Sequence, residues 1–161
     1  MEAQLEFMFH KGDVVVLVRL VLAALAGAII GWNRFRAGKS AGVGTHALVS
    51  LGSALFVIVP LQMSTGQDQQ AFTRVIQGIA TGVGFLGAGE IFRESSRSPR
   101  IHGLTSAAAI WVTASLGVLA ACGSGFLLIA ATVLIMLVFV ISRRVEKRYR
   151  AKLGEEAQPQ A

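Results

Sequence analysis

The stretch VVVLVRLVLAALAGAIIGW, residues 14–32, followed by NRFRAGK, residues 33–39, decides how the chain is built. Arg19 is the only charge in an apolar run that would reach ~28 Å as a helix, the thickness of bilayer hydrocarbon. The run then meets Arg34, Arg36 and Lys39 within a few residues. Working outward, four more apolar stretches follow: Val43–Met63, Phe72–Phe92, Leu104–Ala121 and Phe126–Ile141. Together the five cover ~24–32 Å each at a helical rise of ~1.5 Å per residue. None carries the polar stripe that an amphipathic helix of a soluble core would need. Of 161 residues, 53% are hydrophobic and 15% charged, and mean hydropathy is +0.62. The fold class is an all-α integral membrane protein with about five transmembrane helices.

Charge sets the expected orientation. Arg34, Arg36 and Lys39 lie after the first span, and Arg93, Arg97 and Arg100 after the third. Arg143, Arg144, Lys147, Arg148, Arg150 and Lys152 follow the fifth. With five spans, these segments share one side, which the positive-inside rule makes cytoplasmic, leaving the N-terminus outside. The net charge of +6 is therefore read as attraction to anionic lipid headgroups and not as nucleic-acid binding.

Three regions follow: an interfacial segment at 1–13, a transmembrane domain at 14–142, and a basic juxtamembrane segment with a disordered tail at 143–161. The acidic residues Glu2, Glu6 and Asp13 before the first span argue against a cleaved signal peptide. Cys122, the one cysteine, excludes an intramolecular disulfide and is expected to be a packed, inert thiol. Cys122–Gly125 makes the tightest turn, closing spans four and five into a hairpin.

The third span is the unusual helix. It contains Arg74, Gln77, Gly78, Thr81, Gly82, Gly84, Gly87, Gly89 and Glu90. Each glycine costs a helix ~1 kcal/mol against alanine, so the Gly78–Gly82 spacing points to close helix approach, within the bundle or between copies. Gly27–Gly31 offers a second such groove. Arg19 and Arg74 are expected to snorkel outward, or to pair with Asp13 or Asp68. Glu90 has two readings: an i, i+3 pair with Arg93, or an inward carboxylate meeting the first-loop arginines or a cation. One carboxylate is a poor dedicated magnesium site, and no metal or cofactor is expected. His46, Ser50 and Ser53 share one helical face, as do Thr105, Ala109, Thr113 and Gly117; interhelical packing is the leading reading of both. His46 and His102 lie near the cytoplasmic boundary. No nucleophile–base–orienter set is visible, so the chain is not expected to be an enzyme.

An offset of 60 residues superposes Gly27-Ala28 on Gly87-Ala88, Thr45 on Thr105 and Ala47 on Ala107. Each set belongs to an outgoing helix, a basic loop and a returning helix, as in a parallel duplication of helical hairpins.

Several of these pieces together resemble the MgtC/SapB family of bacterial membrane proteins. They are Gly27-Ala-Ile-Ile-Gly31 with Arg34, and Ala41-Gly-Val-Gly-Thr-His-Ala-Leu-Val-Ser-Leu-Gly52. Gly84-Phe-Leu-Gly-Ala-Gly89 and Gly103-Leu-Thr-Ser-Ala-Ala108 with Trp111 complete the order. The resemblance covers roughly Leu17 to Gly125. It implies a non-enzymatic inner-membrane protein; some members are tied to low-magnesium adaptation, virulence and inhibition of the proton-driven ATP synthase. Those members often carry a soluble C-terminal domain, and this chain is similar to the shorter SapB-like form. Three positions depart from the family pattern: Asn33 stands where it has an acid, Gly44 where it has a base, and Glu90 where an apolar residue is usual. Glu90 would then be a relocated carboxylate that compensates for Asn33.

The expected function is a regulatory or interaction protein that contacts itself or another membrane complex through its glycine-rich faces. The alternative is a small oligomeric channel or transporter with Arg74, Gln77, Thr81 and Glu90 along its path.

Overall fold

A computed structural model describes residues 11–63, 69–95 and 103–156, with side chains within 12–62, 70–92 and 103–149. Residues 1–10 of the expected interfacial segment at 1–13, Asp68, His102 and the tail beyond 156 lie outside the described residues. Five helices follow in order: α1 (Lys11–Arg36), α2 (Val43–Met63), α3 (Gln69–Ser95), α4 (Leu104–Ala121) and α5 (Gly125–Glu156). All five are long and apolar enough to cross a membrane. There is no strand among the described residues. With no water in the hydrocarbon layer, a helix is the form in which a single segment satisfies its own backbone groups.

Turn chemistry sets the boundaries. Gly38, Gly103 and Gly123 adopt left-handed backbone angles, with φ of 67°, 89° and 79°, where a side chain would clash. Gly38 follows α1, Gly103 precedes α4, and Gly123 forms the tight turn into α5. Helix α5 extends well past the expected end of its span at Ile141, so the basic segment and residues 154–156 are helical. Arg, Glu and Lys sustain a helix beyond the apolar run through their own propensity.

Helix α4 packs against each of the other four, and α1 and α2 complete a closed triangle with it. Helix α3 packs on α2 and α4, while α5 packs on α1 and α4. The core reflects this order. Ala23, Ala26, Ile30, Ala54, Val57, Ala109, Leu116, Ala120 and Ala121 are buried together. Lipid-facing side chains dominate elsewhere, including Phe126, Ile129 and Leu134 of α5.

The hairpins α1–α2 and α3–α4 are built alike. A Cβ on Gly27 would come within 2.9 Å of Ala47 Cα, and one on Gly87 within 3.3 Å of Ala107 Cβ. A Cβ on Gly31 would lie 2.6 Å from Val43 Cα, and one on Gly103 3.0 Å from Ile91 Cα. Ser53 Oγ donates to the Val49 carbonyl at 2.8 Å, and Thr113 Oγ1 donates to that of Ala109 at 2.8 Å. All of these pairs obey the 60-residue offset. The α1–α4 contact then corresponds to the α3–α2 contact, an approximate twofold relation between hairpins.

Candidate functional site

Two features combine the polar and glycine residues singled out above. The first is a polar cluster where α1 ends and α2 and α4 begin. Arg34 is 3% exposed, its Nη2 donates to Ser106 Oγ at 3.0 Å, and its guanidinium lies 5.1 Å from the centre of the Phe139 ring. A cation over an aromatic face, out of water, gains roughly 0.5–2 kcal/mol. Arg34 thus joins α1, α4 and α5. Ser106 and Phe139 were not singled out from the sequence, because neither shows its partner in its own helix. His46 is fully buried beside them, and its Nδ1–H donates to the Gly42 carbonyl at 2.9 Å.

Glu90 is buried and accepts a hydrogen bond from the Ser40 hydroxyl, which ties α3 to the loop after α1. This is the inward-facing reading of the carboxylate, with a serine where arginines were expected; the side chain of Arg93 lies outside the described ones. Asn33 takes a different partner. Its backbone oxygen and Oδ1 both accept from Arg143 Nη2 of α5 at 2.9 Å. Gly44 has nothing within 4 Å of where its Cβ would stand. The described residues contain no group of three or more His, Cys, Asp or Glu that could hold a metal ion.

The second feature is a groove between α2 and α3. It encloses about 640 Å3, floored by Gly52, Gly78 and Gly82 and walled by Phe56, Val83 and Leu86. Packing of the Gly78–Gly82 pair inside the bundle is not what the structure contains. Gly78, Gly82, Gly84 and Gly89 have nothing within 4 Å of the point where a Cβ would stand. Close approach occurs instead at Gly27, Gly31 and Gly117, where a Cβ would meet backbone of α2 or the loop before it. Gly87 alone of the third-span glycines touches another helix, at Ala107. The reason is that α3 leans on α4 through Gly87 and leaves its glycine-rich middle turned away.

Several further expectations are corrected by position. Arg19 Nη1 donates to the Ala121 carbonyl at 2.9 Å, satisfying a carbonyl that α4 leaves unpaired at its end. Cys122 is exposed rather than packed, because the turn at Gly123 lifts it off the bundle. Arg74, Gln77 and Thr81 are exposed, and Glu90 is buried. At 100° per residue Glu90 stands on the opposite face of α3 from Thr81, so the four do not line one path within a chain. Thr45 and Thr105 are both exposed, and Trp111 is 54% exposed, over a shallow cleft against Phe72, Ile76 and Ala80.

Comparison with known proteins fits this arrangement. The model of the MgtC family matches residues 20–148. A protein named SrpB from Synechococcus elongatus is 50% identical over 113 residues, covering 65% of this chain and 62% of its own length. The putative magnesium transporter YhiD of Escherichia coli is 39% identical over 141 residues, covering 84% of this chain and 64% of its own. Protein MgtC of Salmonella typhimurium is 36% identical over 132 residues, covering 82% and 54%. This chain thus spans less than two thirds of the length of these curated relatives. No solved structure matches it.

Proposed function

The chain belongs to the MgtC family, and from that premise we propose that it is a non-enzymatic regulator of the bacterial inner membrane that acts by binding another membrane complex. Its setting would be the response to magnesium limitation, in keeping with the name of the relative YhiD. The N-terminus would lie outside and the basic end of α5 in the cytoplasm, against anionic headgroups.

One observation carries this reading. Among the described residues the two buried charged side chains tie separate elements together, Arg34 on Ser106 and Glu90 on Ser40, while the large apolar groove between α2 and α3 is left open. Chemistry spent on packing and an unfilled surface suit a binding module better than a catalyst. Purification in mild detergent from cells grown at low magnesium, followed by identification of what co-purifies, tests it. A defined membrane partner in stoichiometric yield is expected; only abundant bystander proteins would overturn it.

A transporter is the second reading, favoured by the name that YhiD carries. It requires several copies to surround a path, because Glu90 and the Arg74–Thr81 face point apart in one chain. Reconstituted protein would then carry magnesium or another small ion above the rate of empty liposomes, and Glu90→Gln would change that rate.

A further inference from the structure

Helices α1 and α5 are joined at their basic ends. Arg143 of α5 bonds to Asn33 of α1, and Phe139 covers the Arg34 guanidinium. From there toward the α4–α5 turn an apolar cleft stays open between the two helices. It encloses about 460 Å3, with Leu25 and Ile29 on the α1 side and Val133 and Leu137 on the α5 side. The cleft runs into a crevice of about 280 Å3, since Leu22 and Leu128 line both. That crevice is its mouth, edged by Gly123 and Gly125 of the turn. Among the described residues Arg19 is the one charged side chain lining it. We infer that the cleft and its mouth form one binding site for an anionic phospholipid, with an acyl chain along the cleft and the phosphate on Arg19.

Length and charge select that ligand. Along α5 the cleft extends from Leu128 to Val140, ~18 Å at the helical rise. One leaflet of a ~30 Å hydrocarbon core is ~15 Å deep, so an acyl chain fits, whereas a partner helix of full span is longer than a cleft closed at Asn33 and Arg143. The charged end lies where α4 ends. Arg19 Nη1 bonds to the Ala121 carbonyl, and a Cβ on Gly123 would stand 2.7 Å from Arg19 Nη2. Glycine in the turn thus makes room for the guanidinium and holds it at one height. A guanidinium carries five N–H donors in a planar fork; one carbonyl oxygen leaves most of them for a phosphate, which the fork grips through two oxygens. Asp13 stands six residues earlier, about 120° around α1, and is not among the residues of the mouth. A zwitterionic lipid brings its own cation to compete for the phosphate, whereas an anionic lipid supplies the charge opposite to that of Arg19. The site belongs to the leaflet away from Arg143, so it is distinct from headgroup attraction at the basic end of α5.

Lipid titration of the full chain, delipidated in mild detergent and read by native mass spectrometry, tests the site. The probes are dioleoyl phosphatidylglycerol, dioleoyl phosphatidylethanolamine and inorganic phosphate. One phosphatidylglycerol per chain is expected to bind about tenfold more tightly than phosphatidylethanolamine, the equivalent of about 1.4 kcal/mol. Phosphate alone, which has no chain for the cleft, should not bind saturably. Arg19→Gln should erase the preference, and Arg19→Lys, which keeps the charge without the fork, should retain about threefold. Val133 is 51% exposed, so Val133→Trp fills the cleft without entering the core and should weaken both lipids about tenfold. Thermal unfolding checks each variant; if Arg19→Gln does not fold, Arg19→Lys and Val133→Trp carry the test.

Equal affinity of the unsubstituted chain for the two lipids, or phosphate binding as tightly as phosphatidylglycerol, would overturn the site. A preference that survives both Arg19→Gln and Val133→Trp would seat the lipid on the basic end of α5 and overturn it as well. Unchanged affinity in Val133→Trp would remove the cleft even where Arg19→Gln abolishes the preference. The site stands apart from the interaction reading above, since a partner can co-purify with or without a lipid here.

Discussion

At the scale of single residues, glycines of the same sequence context do opposite things. A Cβ on Gly117 would fall 2.0 Å from the Ser50 carbonyl oxygen, and one on Gly27 2.4 Å from that of His46. Both obstacles are backbone, which cannot turn aside. Gly117→Ala and Gly27→Ala are each expected to destabilise the protein by about 1–3 kcal/mol or more, the usual cost of overpacking. Gly78→Ala and Gly82→Ala should be neutral or stabilising by up to ~1 kcal/mol, because a free glycine only weakens its helix. Unfolding curves in detergent separate the two pairs; equal losses at all four would contradict the packing described. Asn33 offers a finer test. It accepts from the exposed Arg143, so Asn33→Glu converts a neutral hydrogen bond into an ion pair. At such an exposed site it should add only ~0.2–1 kcal/mol, and the gain should vanish in high salt.

At the scale of the element, what a helix does depends on how its ends are tied. Helix α4 ends with a carbonyl held by Arg19. Arg19→Leu leaves that acceptor at the edge of an apolar region and should cost about 1–3 kcal/mol, read as lower thermal stability with faster amide exchange in the last turn of α4. The turn that follows carries Cys122. Partial burial pushes its thiol up, and the nearby Arg19 offsets this only in part. Since the thiolate is the nucleophile, alkylation should keep accelerating with pH beyond the range where an unperturbed thiol levels off. A plateau near pH 8 would show that the turn lies elsewhere. Arg19→Leu should slow the reaction at any one pH, by removing the charge that favours the thiolate.

At the scale of the whole molecule, the protein is a duplicated hairpin with one helix added to one of its two equivalent grooves. The central position of α4 follows, since it alone packs on every other helix. In detergent its amides should exchange slowest and those of the middle of α3 at least tenfold faster, measured by mass spectrometry; uniform rates would argue against a helix lodged on only two neighbours. The number of spans, the gathering of basic segments on one side and the family were legible in the sequence. Chain length in apolar residues and the cost of burying charge act locally and leave a local trace. The duplication was legible only faintly, in four residues at an offset of 60, because small residues recur by chance. The pairings Arg34–Ser106, Glu90–Ser40 and Asn33–Arg143 join positions 72, 50 and 110 residues apart, and no single helix announces them. The sequence marked Gly78 and Gly82 as places where something can approach closely. Only the packing of α3 against α4 decided that nothing in this chain does, because a helix has one axis and can turn just one face inward at a time.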